Sequence, residues 1–190
     1  MTEKAVHAIV SLACAAALAT ASGTALAREQ AVPNTPARPT PGDCRGAAAM
    51  AYSTQKTGTE NLGPLSRKAL LYSATISCLV AKAKQPGFTS ASWAPLADLV
   101  AVDEFVRVGN ERERMNFPQM TEFLTRWATV TGFDKTLRRI TEASNRVFVE
   151  LEERNTTNGK TSIVNSMSVY EFNEAGKIRQ LDIYLQRSPT

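Results

Sequence analysis

The feature that most constrains the fold is the dipeptide Asn158-Gly159, which lies between two runs of β-prone residues. A two-residue type I′ turn needs positive φ at both positions, and Asn-Gly tolerates this best. The pattern predicts a hairpin between strands at 147–153 and 161–173. Further strands are predicted at 133–142 and 177–187. The C-terminal part of the chain is therefore predicted to be an antiparallel meander.

Helical patterns precede this meander. After Pro64, apolar residues recur three and four positions apart, which places them on one helical face that Ser66 caps and Pro86-Gly87 ends. The predicted helices occupy 65–83, 93–100 and 116–132, and a strand at 102–108 interrupts them. Helices followed by a meander indicate an α+β fold, with the helices packed on one face of a curved antiparallel sheet.

The first 27 residues have the features of a secretory signal peptide. Lys4 precedes an alanine-rich apolar run, and Ala25-Leu26-Ala27 fits a cleavage site that leaves Arg28 as the new N-terminus. An uncleaved membrane anchor is the alternative. Residues 28–43 are rich in proline and are predicted to be a disordered linker, followed by one domain at 44–190. The expected location is periplasmic or secreted, with no membrane contact after cleavage.

Histidine and cysteine limit the chemistry. The single histidine, His7, lies in the predicted signal, so the mature chain would lack Ser-His-Asp catalysis, Cys-His catalysis and histidine metal ligands. We predict no metal site and no cofactor. In an oxidising compartment Cys44 and Cys78 are predicted to form a disulfide, although Cys78 in a helix could instead be a buried thiol.

The charge pattern argues against nucleic acid as a partner. The formal net charge of the chain is +4, and acidic and basic residues alternate around Glu111 to Arg114. No continuous basic stripe is interleaved with aromatic residues, as a nucleic-acid surface requires. A solvated surface of mixed charge is the simpler interpretation.

The closing hairpin resembles a known family. The segment VYEFNEAGKI at 169–178, continued to Tyr184, is similar to the last hairpin of the nuclear transport factor 2-like superfamily. This superfamily includes ketosteroid isomerases, SnoaL-like cyclases and limonene epoxide hydrolases. The segment MTEFL at 120–124 also resembles one of its helices, and the resemblance spans about residues 65–187. It implies a cone-shaped sheet that wraps a pocket, and often a homodimer through the sheet.

The resemblance does not carry over the catalytic carboxylates. Ser168 stands where ketosteroid isomerases have a carboxylic acid, and Val106 stands where they have the base, with Asp103 and Glu104 out of register. Limonene epoxide hydrolases resemble the chain at Glu153-Arg154, but their two aspartates correspond to Thr156 and Ile183 here. The resemblance therefore implies that both sets of carboxylates are absent.

Strand alternation gives the predicted pocket. Alternate residues share a face of a strand, and the resemblance implies which faces line the cone. The predicted ligand-pocket residues are Ser166, Ser168, Tyr170, Leu181, Ile183 and Leu185. They suit a small, mostly apolar ligand, with Tyr170 as the best hydrogen-bonding group. The alternative is that these side chains fill a closed core.

The remaining acidic residues are assigned to the outside. Asp182 and Tyr184 are predicted on the face opposite the pocket, as an interface or surface pair, with an acid/base pair as the alternative. The carboxylates of Glu150, Glu152 and Glu153 are predicted to be a solvated strand face, because crowded carboxylates usually stay in water.

Two functional hypotheses follow. The first is an exported, non-catalytic domain that binds a small molecule or a protein partner. The second is an isomerase, cyclase or hydrolase that uses Asp103, Tyr170 or Glu150 on a small apolar substrate. The missing carboxylates favour the first hypothesis, since a fold alone does not define function.

Overall fold

The computed structural model describes Cys44 and residues 62–187. The predicted signal peptide at 1–27 and the predicted linker at 28–43 lie outside these residues. Within the described residues, no helix is long and apolar enough to cross a membrane. Cys44 and Cys78 lie at disulfide distance, with their Cα atoms 5.5 Å and their sulfur atoms 2.06 Å apart.

Residues 62–187 form two α-helices, a 3₁₀ helix and six strands. In chain order these are α1 (Pro64–Lys82), the 3₁₀ helix (Ser90–Leu96), β1 (Val106–Val108), β2 (Arg114–Met115), α2 (Phe117–Val130), β3 (Thr131–Ala143), β4 (Arg146–Thr157), β5 (Lys160–Phe172) and β6 (Ile178–Arg187). The strands form one sheet in the order β2-β1-β6-β5-β4-β3. The predicted α+β class and the four-strand meander are confirmed.

The sheet is mixed, whereas the sequence predicted an antiparallel one. β1 runs parallel to β6, while the other neighbouring strands are antiparallel. The predicted turn at Asn158-Gly159 is confirmed, with φ of 53° and 73° at its two residues. The meander brings the last strand back beside the first one, and this long-range pairing sets the parallel direction.

The first strand is shorter than predicted. Val102, Asp103 and Glu104 lie in an exposed turn, in which Glu104 N donates to Ala101 O at 3.0 Å. The short β2 pairs with β1 and was not predicted, because the charged residues around it lack a strand pattern. Gly132 does not end α2 but lies inside β3, which begins directly after the helix.

The sheet itself caps helix α1. The N-cap is Gly63 and not Ser66, and it makes no side-chain capping bond. Ser66 N instead donates to Glu142 Oε2 of β3 at 2.7 Å, which satisfies a free amide at the positive end of the helix. A Cβ atom on Gly63 would lie 2.3 Å from that oxygen. Glycine thus allows β3 to hold the start of α1 against the sheet.

The helices pack on one face of the sheet. Trp93 of the 3₁₀ helix is fully buried, packs edge-to-face on Phe88 at 5.4 Å and donates from Nε1 to Thr125 Oγ1 at 2.9 Å. The buried residues Val147, Val149 and Leu151 of β4 alternate with more exposed neighbours, as expected for a strand with one covered face. This covered face, called the inner face below, carries the cavity.

Candidate ligand-binding cavity

A cavity of about 440 Å³ lies between the inner face of the sheet and helices α1 and α2. Its volume is within the usual range for sites that bind small molecules. Most of its wall is aromatic or aliphatic. The apolar lining from the helices and from β3 to β5 consists of Ile76, Met120, Phe123, Leu124, Trp127, Phe133, Leu151 and Val164.

Most of the predicted pocket residues lie in this wall. Ser168, Tyr170, Leu181, Ile183 and Leu185 line the cavity. Ser166 lies on the same side of β5 and is buried, but it does not line the cavity. Its hydroxyl donates to Glu153 Oε1 at 2.6 Å. Strand alternation therefore places these side chains on one face, while their role toward a ligand stays a prediction.

A pair of tyrosines forms part of the wall. The ring of Tyr72, from α1, meets the ring of Tyr170 edge-to-face at 5.7 Å. The Tyr72 hydroxyl donates to Met120 Sδ at 3.4 Å, and a thioether is a weak acceptor. Burial raises the pKa of Tyr72, and the charge of Arg107 opposes this rise only in part. Tyr72 therefore keeps its proton and can donate a hydrogen bond.

Arg107 is a cavity residue that the sequence analysis missed. It is 8% exposed, and its guanidinium lies 5.0 Å from the centre of the Phe123 ring. Nη1 donates to Glu113 Oε1 at 3.2 Å. Its neighbours Val106 and Val108 point the other way, so alternation separates Arg107 from them. The sequence did not show that the arginine, and not the valines, faces inward.

Glu153 also lines the cavity, contrary to the prediction that it belongs to a solvated strand face. Adjacent residues of a strand point to opposite faces, so Glu152 and Glu153 cannot share one. Glu153 is two residues after Leu151, which is buried on the inner face. This parity was visible in the sequence and would have identified the residue.

Lys135 lies beside Glu153 on the neighbouring strand β3. Its ammonium donates to the carbonyl and the hydroxyl of Ser73 in α1, and it lies 5.5 Å from the centre of the Phe133 ring. Burial lowers the pKa of Lys135 to about 7, although the charges of Glu153 and Asp134 act in the other direction. A lysine that is partly neutral near physiological pH thus stands behind the cavity wall.

The other acidic candidates do not reach the cavity. Glu150 pairs with Arg139 at 2.8 Å on the outer face, and Asp103 lies in the exposed turn before β1. Both were named for the enzymatic hypothesis, and neither lines the cavity. Asp182 accepts from Gln180 Nε2 at 2.9 Å, and Tyr184 is 57% exposed. These two lie on the outer face, as predicted.

The positions compared with epoxide hydrolases divide between the two faces. Ile183 lines the cavity, whereas Arg154 and Thr156 alternate with Glu153 and Asn155 and therefore point outward. Glu153 and Asn155 occupy the inward positions of this part of β4. Within residues 62–187 and at Cys44, no group of three His, Cys, Asp or Glu side chains could hold a metal ion.

Comparison with solved structures gives the fold class. A proposed SnoaL-like polyketide cyclase from Shewanella putrefaciens CN-32 matches with a TM-score of 0.52 and 8% identity, over 66% of this chain and 91% of that one. An NTF2-like protein of unknown function from Cytophaga hutchinsonii has a TM-score of 0.44 and 14% identity, with 67% and 94% covered. An LEH-like epoxide hydrolase of M. tuberculosis has a TM-score of 0.44 and 16% identity, over 59% of this chain and 84% of that one.

No protein-family model matches the sequence, and no curated protein matches it at a significant level. The structural likeness at 8% identity shows the fold and not the activity. The protein therefore has a SnoaL-like fold of the nuclear transport factor 2-like type, as the closing hairpin predicted, with an apolar cavity on the inner face of its sheet.

Proposed function

We propose that the protein is an exported domain that binds a small, mostly apolar molecule in this cavity and does not convert it efficiently. The observation that carries the proposal is the cavity of about 440 Å³ with its aromatic and aliphatic wall. Removing apolar surface from water contributes roughly 25 cal/mol per Å², so a ligand of modest size gains several kcal/mol there. Ser168 and Tyr170 supply hydroxyl groups that can orient it.

The chemistry of the wall supports binding without turnover. Ser168 and Ile183 are the cavity-lining residues at two positions where the resemblance implied catalytic carboxylates. The third position, Val106, is followed by Arg107, which points inward and carries a positive charge. A guanidinium cannot act as a general base, because it stays protonated in proteins. If the resemblance pairs these positions correctly, the cavity offers no base there, and this favours binding over turnover.

Glu153 favours a second candidate function. It is the one carboxylate among the described residues of the cavity wall, and Ser166 fixes one of its oxygens. A positioned carboxylate can serve as a general base for an isomerase, cyclase or hydrolase. Steady conversion of an epoxide or a ketosteroid by the wild type, lost in Glu153→Gln, would support this candidate and overturn the non-catalytic proposal.

We expect Ile183→Asp to abolish ligand binding. Ile183 contributes apolar surface to the cavity wall, and a carboxylate in its place would remove that surface, lose part of its hydration and compete with a ligand for Arg107. The expected loss of stability is about 1–3 kcal/mol, and ligand affinity should fall more than about tenfold. The measurement is the shift in melting temperature of the protein with a library of hydrophobic molecules, followed by calorimetric titration of each compound that binds.

Ile163→Asp is the matched control for this experiment. Ile163 lies on β5 with 56% of its surface exposed, and it does not line the cavity. The same substitution there should leave ligand affinity unchanged. Tyr170→Phe should weaken only ligands that carry a polar group. If no library compound shifts the melting temperature of the wild type, the cavity is not a ligand site and the proposal is wrong.

Export and self-association complete the proposal. Cleavage after Ala27 should be visible by N-terminal sequencing of the protein from its native host, and an intact Met1 would contradict it.

A homodimer would use the outer sheet face, where Met167 and Tyr184 are 37% and 57% exposed and the Glu150–Arg139 ion pair lies beside them. Sedimentation equilibrium of the wild type and of Tyr184→Asp tests it, and a monomeric wild type would refute it.

A further inference from the structure

Arg107 is the buried cationic group of the cavity wall. Its residue is 8% exposed, and an arginine is rarely buried without a partner for its charge. The ring of Phe123 covers one face of the guanidinium, with 5.0 Å between the guanidinium carbon and the ring centre. A guanidinium held against a ring keeps its N–H edges in plane, where they can bind a planar carboxylate with two parallel hydrogen bonds.

The internal partners of Arg107 use one of its nitrogens. Nη1 donates to Glu113 Oε1 at 3.2 Å and approaches Met115 Sδ at 4.0 Å. Arginine has five N–H donors, and within residues 62–187 both of the acceptors recorded for Arg107 meet Nη1. No buried side-chain nitrogen of the described chain lacks a hydrogen-bond partner. The remaining donors of Arg107 are therefore accessible, and Arg107 lines the cavity.

Glu113 does not block this site. Its side chain is 38% exposed, and its second oxygen accepts from Glu111 N at 3.0 Å. It lies in the loop between β1 and β2 and meets Arg107 at Nη1 alone among the described contacts. A ligand carboxylate could bind the other guanidinium edge without displacing it, although the negative charge of Glu113 would weaken that binding.

The other carboxylate of the wall is too distant to neutralise Arg107. Arg107 pairs with Leu181 of β6, and Leu181 pairs with Tyr170 of β5. Glu153 pairs with Val164, which lies six residues away from Tyr170 along β5. Six residues of strand span about 20 Å. The cavity therefore has a cationic region around Arg107 that is separate from the acidic region around Glu153.

The groups around Arg107 add a second hydrogen-bond donor for an anion. Tyr72 keeps its proton and donates only to the thioether of Met120 among the described residues. A hydrogen bond from Arg107 or Tyr72 to an anion would contribute more than one between neutral groups. A carboxylate is the acceptor whose geometry matches a guanidinium edge best. The neighbouring wall of Phe123, Leu124 and Ile183 is apolar and suits the body of such a ligand.

We propose that the ligand is a small carboxylic acid with an apolar body, whose carboxylate binds Arg107 and whose body fills the aromatic part of the cavity. This assignment rests on the proposed function, since it requires the cavity to be a ligand site. Arg107 acts here as a specificity-determining residue that distinguishes an acid from an uncharged or cationic analogue of equal size.

The test is calorimetric titration of the wild type at pH 8 with three probes of equal chain length: octanoate, octan-1-ol and octylammonium. Octanoate should bind at least about tenfold more tightly than octan-1-ol. Octylammonium should bind most weakly, because its positive charge is repelled by Arg107. Arg107→Met should remove the advantage of octanoate and leave octan-1-ol affinity within about threefold. Glu113→Gln should strengthen octanoate binding, because it removes the competing negative charge.

Two further variants control the result. Arg126→Met removes an exposed arginine of α2 that does not line the cavity, and it should leave octanoate affinity unchanged. If Arg107→Met folds poorly because Glu113 loses its partner, the double variant Arg107→Met/Glu113→Gln removes both charges together. Melting temperature reports folding in each case.

The outcomes are distinguishable. Equal affinity of the wild type for octanoate and octan-1-ol, or unchanged octanoate binding in Arg107→Met, would overturn the carboxylate assignment and leave the cavity as a site for uncharged ligands. Failure of the wild type to bind any of the probes or any hydrophobic library compound would overturn the assignment together with the proposed function.

Discussion

Replacing Cys44 and Cys78 together by alanine is expected to lower the free energy of unfolding by about 3–4 kcal/mol. The pair closes a loop between residues separated by 34 positions, and the chain-entropy model gives a stabilisation of this size for such a loop. Cys44 is 2% exposed and packs in the hydrophobic core, so the bond ties a core residue to Cys78 of α1. Urea denaturation of the oxidised wild type and of the variant measures the difference.

Reduction of the wild type separates the covalent bond from the packing of the sulfur atoms. A reducing agent should destabilise the wild type by most of this amount and leave the double variant unchanged. Thiol titration of the unfolded, unreduced protein should find neither of the two cysteines free. A loss below about 1 kcal/mol on reduction would show that the bond contributes little to stability.

The second large effect concerns pH and Lys135. The stability of the wild type should rise between pH 7 and pH 9, with a slope approaching about 1.4 kcal/mol per pH unit. Burial lowers the pKa of Lys135 to about 7 in the folded protein, whereas an unfolded lysine keeps its proton up to about pH 10.4. Unfolding in this range therefore takes up one proton, and a higher pH disfavours it.

Lys135→Met isolates this contribution. Methionine keeps the length of the side chain and removes the charge, so the variant should be about 2–3 kcal/mol more stable than the wild type at pH 7, with a smaller difference at pH 9. The difference between the proteins cancels the contribution of Lys84, whose pKa is also lowered by burial. The denaturation measurements should be kept below about pH 9.5. Burial raises the pKa of Tyr72 in the folded protein, so at higher pH unfolding would release the tyrosine proton and add a second pH dependence.

Lys160→Met provides the matched control for Lys135→Met. Lys160 is the exposed first residue of β5, directly after the turn, so its replacement removes the same charge from the surface. It should leave the pH slope of the wild type intact. A wild type whose stability is flat from pH 7 to pH 9, or a Lys135→Met variant with the same slope, would contradict the buried-lysine interpretation.

Local patterns in the sequence determined much of the fold. The Asn158-Gly159 turn fixes the register of β4 against β5, with Thr157 opposite Lys160. Once this register is set, alternation places Ser168 and Tyr170 on one face. The capping box of Asn116 and Gln119 starts α2 where the sequence predicted it. These features depend on residues that are close in the chain, so they can be predicted from the sequence.

The tertiary structure alone decided the charged groups of the cavity. Arg107 faces inward because β1 pairs with β6 and lies under α2, and this contact joins parts of the chain about 70 residues apart. The ammonium of Lys135 is held away from water because α1 covers it and the hydroxyl of Ser73 accepts a hydrogen bond from it. A charged side chain in a strand usually stays in water, and only the packing of a distant element reverses that preference. Alternation gave the two faces of each strand, but the helices that cover one of them decided which charges a ligand would meet.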